Sequence, residues 1–368
     1  MSEAIQTKAY LDALGEQYGI PYIDARLIKD HRTVAQAATD GALTGDEPLF
    51  LYSCTKPVTV TAVMTLVEAG AFTLDTPVSE LLSAFARLRM QDGTPCPVAL
   101  TVRHLMCMAG GLCYDKNAYP IDRELLHRDG RSVTRTVVDA IADGRLLFVP
   151  GTKFQYSLCH DVLGAVIEAA AGMPFSEYMR KTVFEPCGMT QTRFAKRYDD
   201  VSPFYETDAQ THEIRARERR NDFVYADGYE SGGAGLVSTV NDYAKFAAVL
   251  AAGGVTADGR RLVSEESLRA LRTPHMTSEA HGFSCIQTSQ GEGYAYGLGV
   301  RTRTAATAWG LGVGEYGWDG AAGSYLMIDP ARGVAAVIGM HLLGWPYVSA
   351  GEHLRITERL YRDAGLIG

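Results

Sequence analysis

Leu51-Tyr52-Ser53-Cys54-Thr55-Lys56-Pro57, running on into Val58-Thr59-Val60-Thr61-Ala62-Val63-Met64-Thr65-Leu66-Val67-Glu68-Ala69-Gly70, is the stretch on which the fold of this chain turns. Val58, Val60, Ala62, Met64 and Leu66 alternate with threonines as a strand would, while Val60, Val63, Met64 and Val67 fit a helical stripe. Uninterrupted length, Pro57 near the start and Gly70 at the stop decide for a buried helix. Ser53 and Lys56 then stand at its mouth, three residues apart and on one face if the helix starts near Cys54. A serine hydroxyl becomes a useful nucleophile when a base takes its proton, and a lysine serves as that base when burial disfavours its ammonium form. The pattern S-x-x-K alone also describes an N-cap serine followed by a surface lysine. The apolar run that follows separates the two readings, because it leads Lys56 into a buried element.

Outward from this helix, composition sets the frame. The chain has 368 residues, enough for one large or two moderate domains, with 46% hydrophobic and 21% charged residues. A net charge of 35 − 43 = −8 without a basic run excludes nucleic acid and anionic membrane as partners. The apolar run from Gly333 to Trp345 is too short to span a bilayer. The opening MSEAIQTKAY lacks the basic and apolar regions of a secretory signal, so a cytoplasmic location is expected. Seven cysteines (54, 96, 107, 113, 159, 187 and 285) show no framework spacing and read as free thiols.

Taken in order, residues 4–17 read as a helix, followed by strands over 21–28 and 32–38 around the turn Lys29-Asp30-His31. Beyond Gly70 strand patterning fades. Helices are expected near 101–108, over 132–142, through Leu163, Val166, Ile167 and Ala170 to Gly172, and over 174–183. The polar stretch 196–222 reads as a surface loop. Gly235-Leu236-Val237 brings the chain back. Ser238 and Thr239 cap a helix running to Gly253, strands 324–329 and 334–340 form a hairpin, and 348–364 is a terminal helix. The expected organisation is α+β: an antiparallel sheet flanked by helices from 1–80 and 228–368, interrupted by a mainly helical domain over 81–227.

A serine–lysine site also needs a second proton handler and donors for an oxyanion. Tyr156, after the turn Pro150-Gly151-Thr152 and before an apolar helix, is the candidate for the first, with His160 as a rival base. A tyrosine there also occurs simply packed at a domain edge, and a histidine simply exposed or capped. The stretch Gly317-Trp318-Asp319-Gly320-Ala321-Ala322-Gly323 lets a substrate lie against the backbone, with the Ala321 N–H as an oxyanion donor; a glycine-rich turn is its plainer reading. No G-x-S-x-G, H-E-x-x-H or paired C-x-x-C occurs. His104, Cys107 and Cys113 lack a fourth ligand, so no metal is expected. Gly312, Gly314 and Gly317 spell G-x-G-x-x-G but open no helix, so no dinucleotide cofactor is expected either.

In order and spacing, Ser53-Cys54-Thr55-Lys56, Gly70 to Val78, Thr101 to Met106, Pro150 to Ser157, Gly235 to Thr239 and Gly317 to Gly320 resemble the serine β-lactamase and penicillin-binding-protein superfamily. The resemblance is closest to class C β-lactamases and the family VIII carboxylesterases built on the same fold. It implies an antiparallel sheet flanked by helices plus a helical domain, with the nucleophile between them. It further implies an acyl-enzyme on Ser53, proton transfer by Lys56 and Tyr156, and an oxyanion held by the N–H groups of Ser53 and Ala321. Which of Lys56 and Tyr156 is the base stays open. Two departures point to an ester. Leu158 stands where the β-lactamases carry the asparagine of tyrosine-x-asparagine, and Trp318-Asp319-Gly320 stands where they carry lysine-threonine-glycine. Esters, D-amino-acid amides or peptides, β-lactams and acyl transfer to an alcohol are the substrate and reaction classes implied. A retired binding protein on this fold is the alternative of another class.

Overall fold

An eight-stranded sheet carries the fold, and its strands come from the two ends of the chain. The computed structural model describes residues 2–39, 43–121, 130–195, 198–276, 293–344 and 351–368. From the front come β1 (Ser2–Glu3), α1 (Ile5–Tyr18), β2 (Asp24–Lys29) and β3 (Arg32–Ala38). The short β4 (Leu49–Phe50) then leads into a tight turn and α2 (Thr55–Glu68). Next are α3 (Val78–Leu81), β5 (Arg89–Met90), α4 (Val102–Met106), α5 (Val133–Ala142), β6 (Arg145–Leu146), α6 (Cys159–Ala171), α7 (Phe175–Met179) and α8 (Glu185–Cys187). Four short strands follow, β7 (Arg193–Phe194), β8 (Phe204–Thr207), β9 (Ile214–Arg217) and β10 (Leu236–Ser238). The return comprises α9 (Val240–Ala251), α10 (Glu265–Arg272), β11 (Tyr294–Tyr296), β12 (Arg301–Arg303), β13 (Tyr316–Asp319), β14 (Tyr325–Asp329), β15 (Val334–Gly339), β16 (Leu342–Leu343) and α11 (Glu352–Asp363). Of the terminal helix expected over 348–364, residues 348–350 lie outside the described residues.

Across the sheet the order is β1-β3-β2-β15-β14-β13-β12-β11, antiparallel at every pairing except β1 with β3. Both faces are covered, which is why β14 and β15 read as continuous apolar runs. Leu326, Ile328, Ala335 and Val337 face the large core shared with α2, α6 and α9. Their strand neighbours Tyr325, Met327, Val334, Ala336 and Ile338 face a second core, under α1 and α11. The α+β architecture is therefore an antiparallel sheet between helical layers. Among the described residues no helix is long and apolar enough to cross a membrane. Six cysteines are free thiols, and Cys285 lies outside the described residues.

The expected surface loop over 196–222 is a correction. Residues 204–207 and 214–217 pair as a hairpin, and β16 adds to β8 in parallel. Asp208 closes the connection by accepting the backbone N–H groups of Gln210 and Thr211. The ladder's charged side chains point to solvent, and its third strand lies far along the chain, so local pattern carries little sign of it.

Candidate active site

The segment carrying Ser53 is a short turn pinned from several sides. Phe50 and Val237 pair in an antiparallel ladder, and Leu51 N donates to Leu236 O at 2.9 Å. Tyr52 sits at φ 45°, a left-handed conformation costly for a bulky residue, about 1–3 kcal/mol. The Cys54 N–H closes the turn onto Leu51 O at 3.1 Å, and Tyr243 of α9 donates to Cys54 O at 2.7 Å. Ser53 is thus aimed by backbone geometry. From there α2 is buried nearly all round, as its apolar sequence requires.

Lys56 is wholly buried, and its Nζ stands 3.1 Å from Ser53 Oγ. Tyr114 Oη is also 3.1 Å away, and the amine donates to Gly233 O at 2.8 Å. Burial pulls the Lys56 pKa down from 10.5 to about 7, with Asp161, Cys54 and Cys159 pulling back. A neutral amine is therefore accessible near neutral pH, within hydrogen-bond reach of the hydroxyl it would deprotonate.

Tyr156 comes to the same place from the start of α6, its ring 4.5 Å from Lys56 Nζ. Burial raises its phenol well above the ordinary value, while hydrogen bonds with Ser53 and Trp318 pull the other way. Trp318 Nε1 donates to Tyr156 Oη at 2.9 Å and the two rings stack at 5.6 Å. On the oxyanion side, the turn after β13 closes through Gly320 N to Ser324 O at 2.7 Å and Gly323 N to Gly320 O at 2.9 Å. This leaves the Ala321 N–H without an acceptor among the described residues. Gly320 passes so close to Leu51 that a Cβ would lie 2.2 Å from the Leu51 carbonyl oxygen. That crossing brings Ala321 beside the Ser53 turn.

Four sequence candidates lie apart from this cluster. Asp319 alternates with Trp318 along β13, so its carboxylate turns toward Arg301, 3.3 Å away and itself bonded to Glu315. Burial raises it to about 6, Arg301 lowering and Glu315 adding to the rise. Leu158 is 1% exposed and belongs to the large core, so it offers a substrate little surface. His160 is buried too, its Nε2 3.1 Å from Met106 O, and burial holds it down to about 3, with Lys56 lowering it further. It packs as a neutral ring near Val60 and Gly299. His104, weighed with Cys107 and Cys113 as a metal ligand, caps its helix instead, Nδ1 accepting the Thr101 N–H at 3.3 Å.

A model of the Beta-lactamase family matches residues 7–357. The chain belongs to the beta-lactamase family. The protein Rv1367c of Mycobacterium tuberculosis is 30% identical over 296 residues, 76% of this chain and 73% of that one. Esterase EstB of Burkholderia gladioli is 32% identical over 220 residues, 54% of this chain and 55% of its own. Among solved structures, EstCE1, a hydrolase with promiscuous acyltransferase activity, superposes with a TM-score of 0.78 at 22% identity, covering 98% of each chain. In this fold Ser53 lies where α2, the segment leading into α6 and the turn after β13 converge.

Two residues of this beta-lactamase-family site escape sequence reasoning: Tyr114 and Asp161. Tyr114 follows α4 with no periodic signal, and only the folded chain sets its hydroxyl on Lys56. Asp161 left a trace, as the one acidic residue in the apolar run Val162 to Ile167 and its approach. An unpaired charge there marks a buried partner elsewhere.

Proposed function

We propose that this chain is a carboxylic-ester hydrolase working through an acyl-enzyme on Ser53. The observation that carries the reading is the buried Lys56 amine, 3.1 Å from Ser53 Oγ with its pKa drawn down to about 7. Lys56 takes the Ser53 proton as Oγ bonds to the ester carbonyl carbon, and the carbonyl oxygen becomes an oxyanion facing the Ser53 and Ala321 N–H groups. Tyr156 stays a phenol at rest, which makes Lys56 the base and Tyr156 the relay. As the intermediate collapses, the ester C–O bond breaks and the departing alkoxide takes a proton along that relay. Water then enters, gives its proton to Lys56, attacks the acyl carbon and releases the acid, and Ser53 recovers its hydrogen.

The preference for esters over β-lactams rests on Trp318. Its indole stacks on Tyr156, so position 318 itself offers no cation to meet a lactam carboxylate. One missing charge-assisted contact costs about 1.5–3 kcal/mol, or one to two decades in kcat/KM where it acts in the transition state. EstB and EstCE1, named as esterase and hydrolase, agree with this direction. The test compares kcat/KM for p-nitrophenyl acetate and butyrate with a chromogenic cephalosporin, using Ser53→Ala as the blank. Esters should lead by at least about tenfold, and a fluorophosphonate should label Ser53. A cephalosporin turned over as well as the best ester overturns the assignment.

A further inference from the structure

The loop that returns the chain to β10 is wedged between α2 and α6. From the α2 side, Lys56 Nζ donates to Gly233 O and Thr59 Oγ1 to Gly232 O, each at 2.8 Å. From the α6 side stands Asp161, 1% exposed, in the first turn of that helix. Tyr229 Oη donates to Asp161 Oδ1 at 2.6 Å. The other carboxylate oxygen faces the loop: a Cβ on Gly233 would lie 2.6 Å from Asp161 Oδ2 and 3.5 Å from Tyr114 Oη. Tyr114 Oη is the hydroxyl that meets Lys56. Lys56 and Asp161 therefore both approach Gly233, inside one buried compartment.

The other ionisable groups around them are neutral near pH 7. Burial lifts the Cys54 thiol to about 12 and that of Cys159 to about 11. It also lifts the phenols of Tyr114, Tyr156, Tyr225 and Tyr229, and holds His160 down to about 3. Asp161 is raised by burial as well, with Ser231, Tyr229 and Lys56 drawing it back. That leaves Lys56 and Asp161 as the acid–base pair of the compartment, with Lys56 among the groups that favour the charged form of Asp161. A carboxylate at the start of a helix is also favoured by the backbone dipoles.

We propose that Asp161 is a positioning residue of the proton path, its buried carboxylate being the countercharge for the Lys56 ammonium that forms when Ser53 is deprotonated. This rests on the acyl-enzyme reading above. The Ser53 proton moves to Lys56 and leaves again on the departing alkoxide; Asp161 itself exchanges no proton and lowers the energy of the charged step.

The test is the pH profile of Asp161→Asn, which keeps the shape and an acceptor for Tyr229, beside Asp161→Ser as a smaller uncharged variant. Removing the carboxylate lowers the Lys56 pKa, so the acid limb of kcat/KM should move to lower pH by about one unit. The plateau should fall by about tenfold, because the ammonium is less stabilised. The ratio of variant to unmutated enzyme should therefore rise as the pH falls. A purely structural defect would scale the whole profile evenly, and an unmoved limb overturns the proposal. The rate of fluorophosphonate labelling at Ser53, followed by mass spectrometry across the same pH range, reads Lys56 without any ester. Labelling without ester turnover by the unmutated enzyme would count against the ester reading alone. If both variants lose their circular dichroism while Ser53→Ala keeps it, Asp161 belongs to stability and the proposal fails.

Discussion

Lys56 has three partners, and the count constrains its protonation chemistry. A neutral amine offers two N–H groups and one lone pair, while the Gly233 carbonyl can only accept. That fixes one N–H. If Tyr114 accepts the second, the lone pair is left for the Ser53 hydroxyl, the arrangement a general base needs. Tyr114 thereby selects the productive orientation of the amine, and Tyr114→Phe frees Lys56 to turn its lone pair elsewhere. The expected result is a kcat lower by about tenfold with KM little changed, against a loss of about 10² or more for Tyr156→Phe, which removes the relay itself. The two tyrosines are thus separable by magnitude. A double-mutant cycle supplies the check: in a Lys56→Ala background Tyr114→Phe should cost almost nothing more. An undiminished second loss would mean that Tyr114 acts on the substrate directly.

The geometry of the candidate site is set by how two turns are fastened together. The turn holding Ser53 and the turn holding Ala321 share one acceptor, the Leu51 carbonyl, which takes the Cys54 N–H at 3.1 Å and the Ser324 hydroxyl at 2.8 Å. Cys54 Sγ adds a contact to Trp318 O at 3.5 Å. From behind, His353 of α11 stands 3.1 Å from Gly323 O and steadies the oxyanion turn against the second core. Ser324→Ala removes the bridge without touching a substrate. It should lower kcat by about tenfold, less than deleting an oxyanion donor outright, and leave ground-state KM nearly unchanged. A tetrahedral boronate inhibitor should weaken in parallel with kcat/KM; unchanged boronate affinity would show that Ser324 does not position the donors. This fastening explains what could be read beforehand. S-x-x-K before an apolar helix, and a hairpin apolar on both faces, are local patterns, so α2 and the pair β14 and β15 were legible. Strand alternation and helix packing, which aim Asp319 at Arg301 and sink Leu158 in the core, were not legible in the stretches that singled those residues out. The contact of Tyr114 with Lys56 and the addition of β16 to the β8–β9 hairpin join distant parts of the chain, and no short window of sequence contains both ends of those contacts.

The molecule as a whole carries the cost of a buried lysine. In the unfolded chain Lys56 keeps a proton up to its ordinary value of 10.5, whereas in the folded protein it gives it up near 7. Between those limits the unfolded state binds one proton more than the native state, so stability rises with pH by about 1.4 kcal/mol per unit. Below about 7 both states are protonated and the penalty is at its largest, on the order of 4–5 kcal/mol. That is a substantial part of the 5–15 kcal/mol by which a typical domain is stable, and the apolar packing around α2 must offset it. The strained Tyr52 adds to the same account. Lys56→Met keeps the length and apolar stem while removing the titrating group. It also forfeits the bonds to Ser53, Tyr114 and Gly233, so its absolute stability at one pH decides little. The pH dependence is the more informative reading, because groups remote from Lys56 cancel in the comparison and those that feel its charge are Asp161, Cys159 and His160. Urea unfolding of both proteins should show the unmutated chain gaining about 3 kcal/mol on Lys56→Met between about pH 7.5 and about pH 9.5. Parallel curves over that interval would mean that Lys56 titrates alike in both states. The neutral amine at the centre of the ester mechanism would then lose its basis, since the same depressed pKa drives both the stability slope and the chemistry at Ser53.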